Sequence, residues 1–301
     1  MIPSLNPAAQ QFLDNLNQIS TDMTTAQEQV TTGLKVTQVS DAPDSISLLL
    51  QAHANLASTQ QTISNLNLVT NEVNAGEQAL QNAVSLFDQV QTLAAEGATS
   101  TQTAAGNASL SQQVNTLLQE MVGLANTQND NRYLFAGDED QQIPYTYNAS
   151  QNPPVSAYGG SASTRQIADA TGNTFPVALT AQQIFDSSNP ATNVFTSMEN
   201  LSAALASNNT AAIQNIVNGL PQVAQYLNTQ LAFYGNVQDR LQSATNDAQT
   251  LQTQQQTEVA NLQDADLTQS IMEMTQAQTQ QEAALESEAQ IPRTTLFNFL
   301  S

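Results

Sequence analysis

Two long polar segments with heptad-like spacing, one in each half of the chain, constrain the fold more than any other feature. The second segment, residues 220–301, contains one glycine, Gly235, and two prolines, Pro221 and Pro292. In the first segment, small or apolar residues recur every three or four positions, as in a coiled-coil seam. That seam comprises Leu66, Val69, Val73, Gly76, Leu80, Ala83, Phe87, Val90 and Ala94. Two such arms around a Gly/Pro-rich centre predict a hairpin chain whose ends pair with each other.

The charge balance is strongly acidic and argues against several classes of partner. The net charge is −21, because 26 acidic residues face five basic ones. The basic residues are isolated from one another, so we expect neither nucleic acid nor an anionic membrane as a partner. They are Lys35, Arg132, Arg165, Arg240 and Arg293. The chain has no cysteine, which excludes disulfides and thiolate metal sites.

The hydropathy pattern predicts a chain that does not enter a membrane. The first 34 residues contain no Lys or Arg and no apolar core of a signal peptide. No stretch approaches the roughly 18 consecutive apolar residues that a membrane span needs. We therefore expect that, if the chain leaves the cell, it is exported without a cleaved signal peptide.

Helical periodicity covers both ends of the chain and is interrupted at a few turn sequences. Gly33 is a natural C-terminal break for the first helix. Ser40 or Asp41 is expected to cap the second helix, with Pro43 in its first turn. Residues 96–108, rich in Gly, Thr, Ser and Ala, are expected to form a loop. Helices are predicted over residues 6–31, 45–95, 109–128, 193–206, 210–262 and 267–290.

The middle of the chain has a different character. Short strand-like runs alternate there with Gly, Asn, Pro and Ser, which is typical of a small all-β module. The runs are residues 131–137, 143–147, 155–158, 164–168 and 174–179.

These patterns predict a mainly α protein, an elongated antiparallel helical rod that is coiled-coil-like and carries a small β-containing inserted domain. Five segments follow from this interpretation. They are an N-terminal assembly helix with a spoke-like turn (1–44), the N-terminal half of the rod (45–128), the β-rich insert (129–192), the C-terminal half of the rod (193–262), and a C-terminal assembly helix with a tail (263–301).

The two terminal helices carry weak apolar faces. Gln278 and Gln281 stand where a stable coiled coil would place Leu. Such helices are marginal in water, so we expect them to become ordered by packing against other helices. An apolar tail that a soluble monomer would leave exposed supports the same expectation. The predicted assembly residues are Phe12, Leu16, Ile19, Ile271, Met274, Leu285, Ile291, Leu296, Phe297 and Leu300.

No pattern in the sequence predicts catalysis or the binding of a cofactor or metal. His53 has no acidic residue three or four positions away on its helix, and a structural role is the simpler interpretation. Residues 138–140 and the pair Asp264 and Asp266 lack the ligand order of a calcium loop. We therefore expect a protein that is not an enzyme and holds no cofactor.

Six strings in a consistent order carry a resemblance to a known family. They are QVTTGLKV at 29–36, SDAPD at 40–44, NDNRYLFAG at 129–137, RQIAD at 165–169, GNVQDRL at 235–241, and DAD at 264–266 with AQIPR at 289–293. In these strings the chain resembles the flagellin and hook-filament junction protein family of bacterial flagella. NDNRYLFAG is the most specific of the six.

The resemblance implies an architecture, a location and a set of partners. The terminal helices would pack into the inner tube of an extracellular flagellum, and the insert would face outward. The unfolded chain would leave the cell through the flagellar type III channel without a cleaved signal peptide. The partners would be further copies of the chain (a homo-oligomer), other flagellar axial proteins such as hook-associated proteins and flagellin, and an export chaperone at the C-terminal helix.

Three functions stay open at this point. The short insert and the string at 132–137 favour a hook-filament junction subunit, an adaptor between two polymers. The alternative within the family is flagellin, the filament subunit, which would polymerise with itself without limit. A more distant alternative is a secreted helical adhesin or binding module, which would have ordered termini as a free monomer.

Overall fold

The computed structural model describes residues 7–290, apart from the side chains of Ala8 and Gln290, and this part of the chain is mostly helical. The prediction of a mainly α protein with a small β-containing region is confirmed. The helices are α1 (Pro7–Thr32), α2 (Ile46–Gly97), α3 (Ala104–Ala125), α4 (Ala181–Phe185), α5 (Val194–Ala206), α6 (Thr210–Gln263) and α7 (Leu267–Gln290).

The β structure consists of two small antiparallel sheets. Strands β1 (Gln128–Asn129) and β2 (Arg132–Tyr133) form one sheet, and β3 (Gln166–Ala168) and β4 (Thr174–Pro176) form the other. An isolated bridge joins Tyr147 to Val155. The strand-like runs are therefore shorter strands than predicted. Frequent Gly, Asn and Pro residues interrupt pairing after two or three residues, and the chain between the strands forms turns.

Two local predictions about helix starts were wrong. Helix α3 begins at Ala104, five residues earlier than expected, because the Thr103 hydroxyl accepts a hydrogen bond from the Gly106 amide at 3.1 Å and caps the helix. Asp41 does not cap α2. Its carboxylate instead accepts hydrogen bonds from the backbone amides of Thr37 (2.9 Å) and Gln38 (2.7 Å), and these hold the pKa of Asp41 below its usual range.

Helix α4 was not predicted, although its start carries a recognisable signal. Thr180 and Gln183 form a capping box, in which each side chain bonds to the backbone of the other. The apolar side of α4 is buried, and the ring of Phe185 packs edge-on against Phe135 at a centroid distance of 6.3 Å. The segment of turns thus contributes a helical turn to the core.

The chain forms two compact units. The central unit comprises residues 59–251, and the terminal unit comprises residues 1–58 with 252–301. In the central unit, α3 packs against α5, and the Ser111 hydroxyl donates to the Ser202 carbonyl at 2.9 Å.

The seam predicted on α2 lies in the core of the central unit. Val69 is half-buried, and the other seam residues, Leu66, Val73, Gly76, Leu80, Ala83, Phe87, Val90 and Ala94, are buried. Gly76 faces the ring of Tyr234, where a methyl group would lie 2.7 Å from Cε1. The glycine therefore makes room for an aromatic side chain of α6.

Candidate assembly surface

The terminal unit is built around the pairing of α1 with α7. On both helices the least exposed residues follow heptad spacing, with buried Ala26 on α1 and buried Ser270 and Ala277 on α7. The Ser270 hydroxyl donates to the side-chain carbonyl of Gln29 at 2.8 Å. Gln281 is half-buried at the seam position that follows Ala277. Because Ser270, Ala277 and Gln281 occupy three of the seam positions on α7, this helix contributes little apolar surface to the pairing.

Two turns hold the helix ends of the terminal unit together. The first follows α1, where Gly33 adopts a φ of 74° and ends the helix. The second, between α6 and α7, pairs with it through the Leu34–Asp264 bridge. The Lys35 amide donates to the Gln263 carbonyl at 2.7 Å, and the Ala265 amide donates to the Gly33 carbonyl at 2.9 Å.

Gln263 connects this turn pair to α2. Its side-chain amide donates to the Val36 carbonyl at 3.4 Å, and its side-chain carbonyl lies 3.1 Å from Nε2 of His53. His53 thus has a structural contact, as its lack of an acidic neighbour suggested. The Lys35 ammonium donates to the Asn261 carbonyl at 2.8 Å, near the C-terminus of α6, where a positive charge is favourable.

Asp266 caps the start of α7. Its carboxylate accepts hydrogen bonds from the amides of Thr268 at 2.9 Å and Gln269 at 3.2 Å. These are amide groups of the first turn that have no partner within the helix.

The structure divides the predicted assembly residues into three groups. Phe12, Leu16, Ile19 and Met274 are half-buried. Ile271 and Leu285 are 49% and 52% exposed. The other four, Ile291, Leu296, Phe297 and Leu300, lie outside the described residues.

Most of the exposed apolar side chains of the terminal unit were not predicted from the sequence. Ten large hydrophobic side chains are exposed in the described part of the chain, and eight of them belong to the terminal unit. The signal was the run Leu48, Leu49 and Leu50, because three consecutive helical residues cannot share one face. Leu49 is buried, whereas Leu48 and Leu50 are 50% and 62% exposed. The eight are Leu13, Val39, Leu48, Leu50, Leu267, Ile271, Met272 and Leu285.

The basic residues are engaged within the chain wherever the structure describes them. Arg132 and Arg165 both bind the carboxylate of Glu72 on α2, with Arg165 Nη1 2.8 Å from Glu72 Oε2. The side chain of Glu72 is 11% exposed. Arg240 lies over the ring of Phe175 at 4.1 Å. Together with Lys35 these are the four basic residues between 7 and 290, so the acidic surface has few cations to offer a neighbour.

The described residues carry neither a metal-binding cluster nor a membrane-spanning helix. Between residues 7 and 290, no group of three or more His, Asp and Glu side chains could hold a metal ion. No helix in that range combines the length and the apolar character needed to cross a membrane.

Two family descriptions match the helical parts of this chain. The N-terminal helical region of bacterial flagellin matches residues 4–140, and the C-terminal helical region matches residues 217–300. The chain belongs to the bacterial flagellin family. The family consists of structural flagellar proteins, so the chain is a structural component of the flagellum and interacts with other flagellar components.

The relatives of this chain include two kinds of protein within this family. The chain is 26% identical over 287 residues to flagellar hook-associated protein 3 of Escherichia coli strain K12. The alignment covers 85% of this chain and 87% of that protein. It is 23% identical over 146 residues to flagellin B of Helicobacter pylori, which covers 48% of this chain and 28% of that flagellin. The match to the hook-associated protein is thus the more complete one.

A solved structure shows the same fold. A provisionally identified flagellar hook-associated protein from Vibrio parahaemolyticus superimposes with a TM-score of 0.66 at 16% sequence identity, covering 74% of this chain and 100% of that chain.

Proposed function

We propose that this chain is the hook-filament junction subunit of a bacterial flagellum and links hook to filament through its terminal helices. The observation that carries the proposal is the contrast between a central unit with its own core and a terminal unit in which eight large apolar side chains stay exposed. The nearly full-length match to hook-associated protein 3 supports the junction over the filament, since the match to flagellin B covers 28% of that protein.

Burial of its exposed apolar surface would favour assembly of the terminal unit. Burying an exposed Val, Leu, Ile or Met side chain completely contributes about 1.5–3 kcal/mol, and half of that where half is already covered. Eight such side chains lie in the terminal unit. Neighbouring subunits that covered them would stabilise the polymer and order the helices that carry them.

We assign roles to the segments on the same basis. Residues 1–44 and 263–301 are the assembly segments, 45–128 and 193–262 are the two halves of the helical rod, and 129–192 face outward. The half-buried Phe12, Leu16, Ile19 and Met274 stabilise the α1–α7 pair within a subunit. Ile271 and Leu285 contact neighbours, and the tail residues Ile291, Leu296, Phe297 and Leu300 extend that contact.

The proposed partners follow from the junction role. Further copies of the chain form a homo-oligomer, and hook-associated proteins and flagellin lie on either side of it. An export chaperone binds the C-terminal helix before secretion and keeps its apolar side chains from aggregating.

Hydrogen exchange on the purified monomer, combined with light scattering at rising concentration, tests this function. We expect fast exchange in residues 7–40 and 260–290 and slow exchange in the buried helices of the central unit. Scattering that stays small supports the junction subunit, whereas growth into long filaments would establish flagellin instead. Slow exchange in both units would contradict the proposal and favour a self-sufficient secreted binding module.

A truncation tests the role of the tail. Deleting residues 294–301 is expected to impair assembly while leaving hydrogen exchange in the central unit unchanged. If the truncated chain assembles with its partners as well as the intact chain does, the tail is not an assembly element.

A further inference from the structure

A polar cavity of about 590 Å³ opens on the central unit, beside the start of α5. Helix α4 lines it with Gln182 and Gln183, the loop before α5 lines it with Asp186 and Ser188, and α6 lines it with Tyr226. We call this space the α4–α5 cavity. Its volume falls within the roughly 300–1,000 Å³ that is typical of sites for small molecules.

Hydrogen bonds within the chain fix two walls of the α4–α5 cavity. In the loop before α5, the side-chain carbonyl of Asn189 accepts from the Ala191 amide at 3.1 Å, and its backbone carbonyl accepts from the Thr192 amide at 3.0 Å. On the opposite side, the Tyr226 hydroxyl donates to the Gln183 carbonyl and holds α6 against α4. The cavity is therefore preformed, as small-molecule sites usually are.

A carboxylate without a cation lies in the lining of the cavity. The Asp186 carboxylate accepts hydrogen bonds from the Tyr145 hydroxyl at 3.2 Å and from the Asn193 side-chain amide at 2.8 Å. These donors are 1% and 7% exposed, so they fix the orientation of the carboxylate from the protein side. Within residues 7–290, no Lys or Arg forms an ion pair with Asp186. Its remaining lone pairs can accept hydrogen bonds from a ligand.

The other polar side chains of the lining are neutral. In the described part of the chain, the side chains of Gln182, Ser188 and Thr196 bond to no other protein group. The side-chain carbonyl of Gln183 accepts from the Thr180 amide at 3.0 Å, which leaves the NH₂ group of Gln183 to donate. Hydroxyl and carboxamide groups both donate and accept, so the cavity offers a mixture of donors and acceptors around one carboxylate.

This mixture matches the hydroxyl groups of a sugar better than it matches an ion. A sugar hydroxyl both donates and accepts, whereas an ammonium group only donates and would leave the carboxamide NH₂ groups without acceptors. An anion would lie beside Asp186 with no basic side chain in the lining to offset the repulsion. The half-buried ring of Tyr226 adds an apolar surface against which the C–H groups of a sugar ring can pack.

We propose that the α4–α5 cavity binds a neutral sugar. The Asp186 carboxylate accepts from two adjacent hydroxyl groups of the sugar, Gln182 and Ser188 bond to further hydroxyl groups, and Tyr226 packs against the ring. The site lies in the central unit, so it gives the subunit a binding function separate from assembly through its terminal helices. It goes beyond the proposed junction role and does not depend on it.

Saturation-transfer difference NMR on the full chain tests the proposal with glucose, galactose, mannose and N-acetylglucosamine as probes. We expect at least one of the four to bind with a Kd of about 1 mM, the affinity that the small size of a monosaccharide allows. If none of the four gives a signal at about 10 mM, the proposal is overturned.

A double variant locates the bound sugar. Gln182→Ala with Ser188→Ala removes two exposed side chains that hold nothing in the fold, and it is expected to weaken the best probe about fivefold. Its control, Ser109→Ala with Gln112→Ala, makes the same two changes at exposed positions of α3 and should bind as the parent does. Circular dichroism checks that both keep their helix content. Equal affinity in the two double variants would place the sugar elsewhere and contradict the proposal.

A cationic probe and a charge variant decide between a sugar site and a cation site. Asp186→Asn is expected to weaken the best sugar about tenfold, while NaCl leaves sugar binding unchanged because the ligand is neutral. Butylammonium chloride is the competing probe. If it binds more tightly than every sugar and loses affinity as NaCl rises, the cavity holds a cation and the proposal fails. Assembly with flagellar partners is measured separately, so the junction role can stand or fall whatever the sugars do.

Discussion

The central and terminal units use similar helical patterns to very different effect. In the described part of the chain, the largest fully buried side chains, including Tyr145, Tyr234, Phe87, Phe135 and Phe185, all belong to the central unit. Among the described residues of the terminal unit, the buried apolar ones are Ala26, Val36, Leu49, Ala52 and Ala277, three of which are alanines. Heptad spacing is therefore not sufficient for a stable core. The size of the side chain at each seam position decides how much free energy the pairing contributes.

In the central unit, an aromatic cluster joins the long helices to the segment between α3 and α5. Phe135 packs against Phe185 and Tyr234, each at a centroid distance of 6.3 Å, and Phe185 stacks on Phe195 at 5.8 Å. Tyr145 packs on Phe195 at 5.0 Å, and its hydroxyl donates to Asp186 at 3.2 Å. Burial and the adjacent carboxylate raise the pKa of Tyr145. Such contacts give the central unit a specific core.

The largest effect is expected from truncating the same residue type in each unit. Phe87→Ala removes a fully buried ring from the central core and should lower the free energy of unfolding by about 3–5 kcal/mol. Phe12 is half-buried on α1, so Phe12→Ala should cost about 1 kcal/mol or less. Chemical denaturation, with hydrogen exchange to localise the change, measures both. Equal losses would mean that the two units are equally well packed and would undo the comparison.

The second prediction concerns the ion pairs that join the segment between α3 and α5 to helix α2. Glu72→Ala leaves Arg132 and Arg165 without their shared carboxylate, and we expect a loss of about 2 kcal/mol, since both guanidinium groups keep some access to water. Hydrogen exchange should increase around β2 and β3 and stay unchanged in α1 and α7. The exposed Glu120→Ala is the control. A loss no larger than that of the control would mean that the ion pairs add nothing to the stability of the central unit.

The third prediction tests the turn pair of the terminal unit. Gln263→Ala removes the side-chain bonds to Val36 and His53 and should cost about 1 kcal/mol. Faster exchange is expected at residues 33–36 and 263–266, with no change in the central unit. Gln254→Ala, an exposed position on the same helix, is the matched control. An increase in exchange that reached the central core would show that the two units unfold together.

The long helices could be predicted from the sequence because their signals are local. Helix α7 spans the predicted residues 267–290, and α6 differs by one residue at its C-terminal end. The early start of α3 and the existence of α4 depend on caps at Thr103 and Thr180. These caps stand in Ser/Thr-rich stretches where many residues could serve, so the tertiary fold decides which of them does.

The candidate site was predicted only in part for a related reason. The spacing of Phe12, Leu16 and Ile19 placed them on one face, and the structure shows all three half-buried. On α7, Ile271 and Leu285 were expected beside Met274, yet Ser270 and Ala277 occupy the seam. Small residues allow α1 and α7 to pack closely, and a hydrophobicity pattern does not predict packing of this kind. As a consequence, Ile271 and Leu285 stay exposed.

The smallest expected effect tests whether a partly buried carboxylate lowers the stability of the central unit. Glu199 on α5 is partly buried, and burial, with a smaller contribution from Asp186, raises the pKa of its carboxyl group. The carboxyl group therefore favours folding most below its unfolded pKa, and this contribution is lost as the pH rises through the folded pKa. Glu199→Gln should stabilise the central unit by about 0.5 kcal/mol near pH 7 and by less near about pH 4. Urea denaturation at both pH values measures this, with Glu120→Gln as the control. The same gain at both pH values would show that the charge of the Glu199 carboxylate is not the cause.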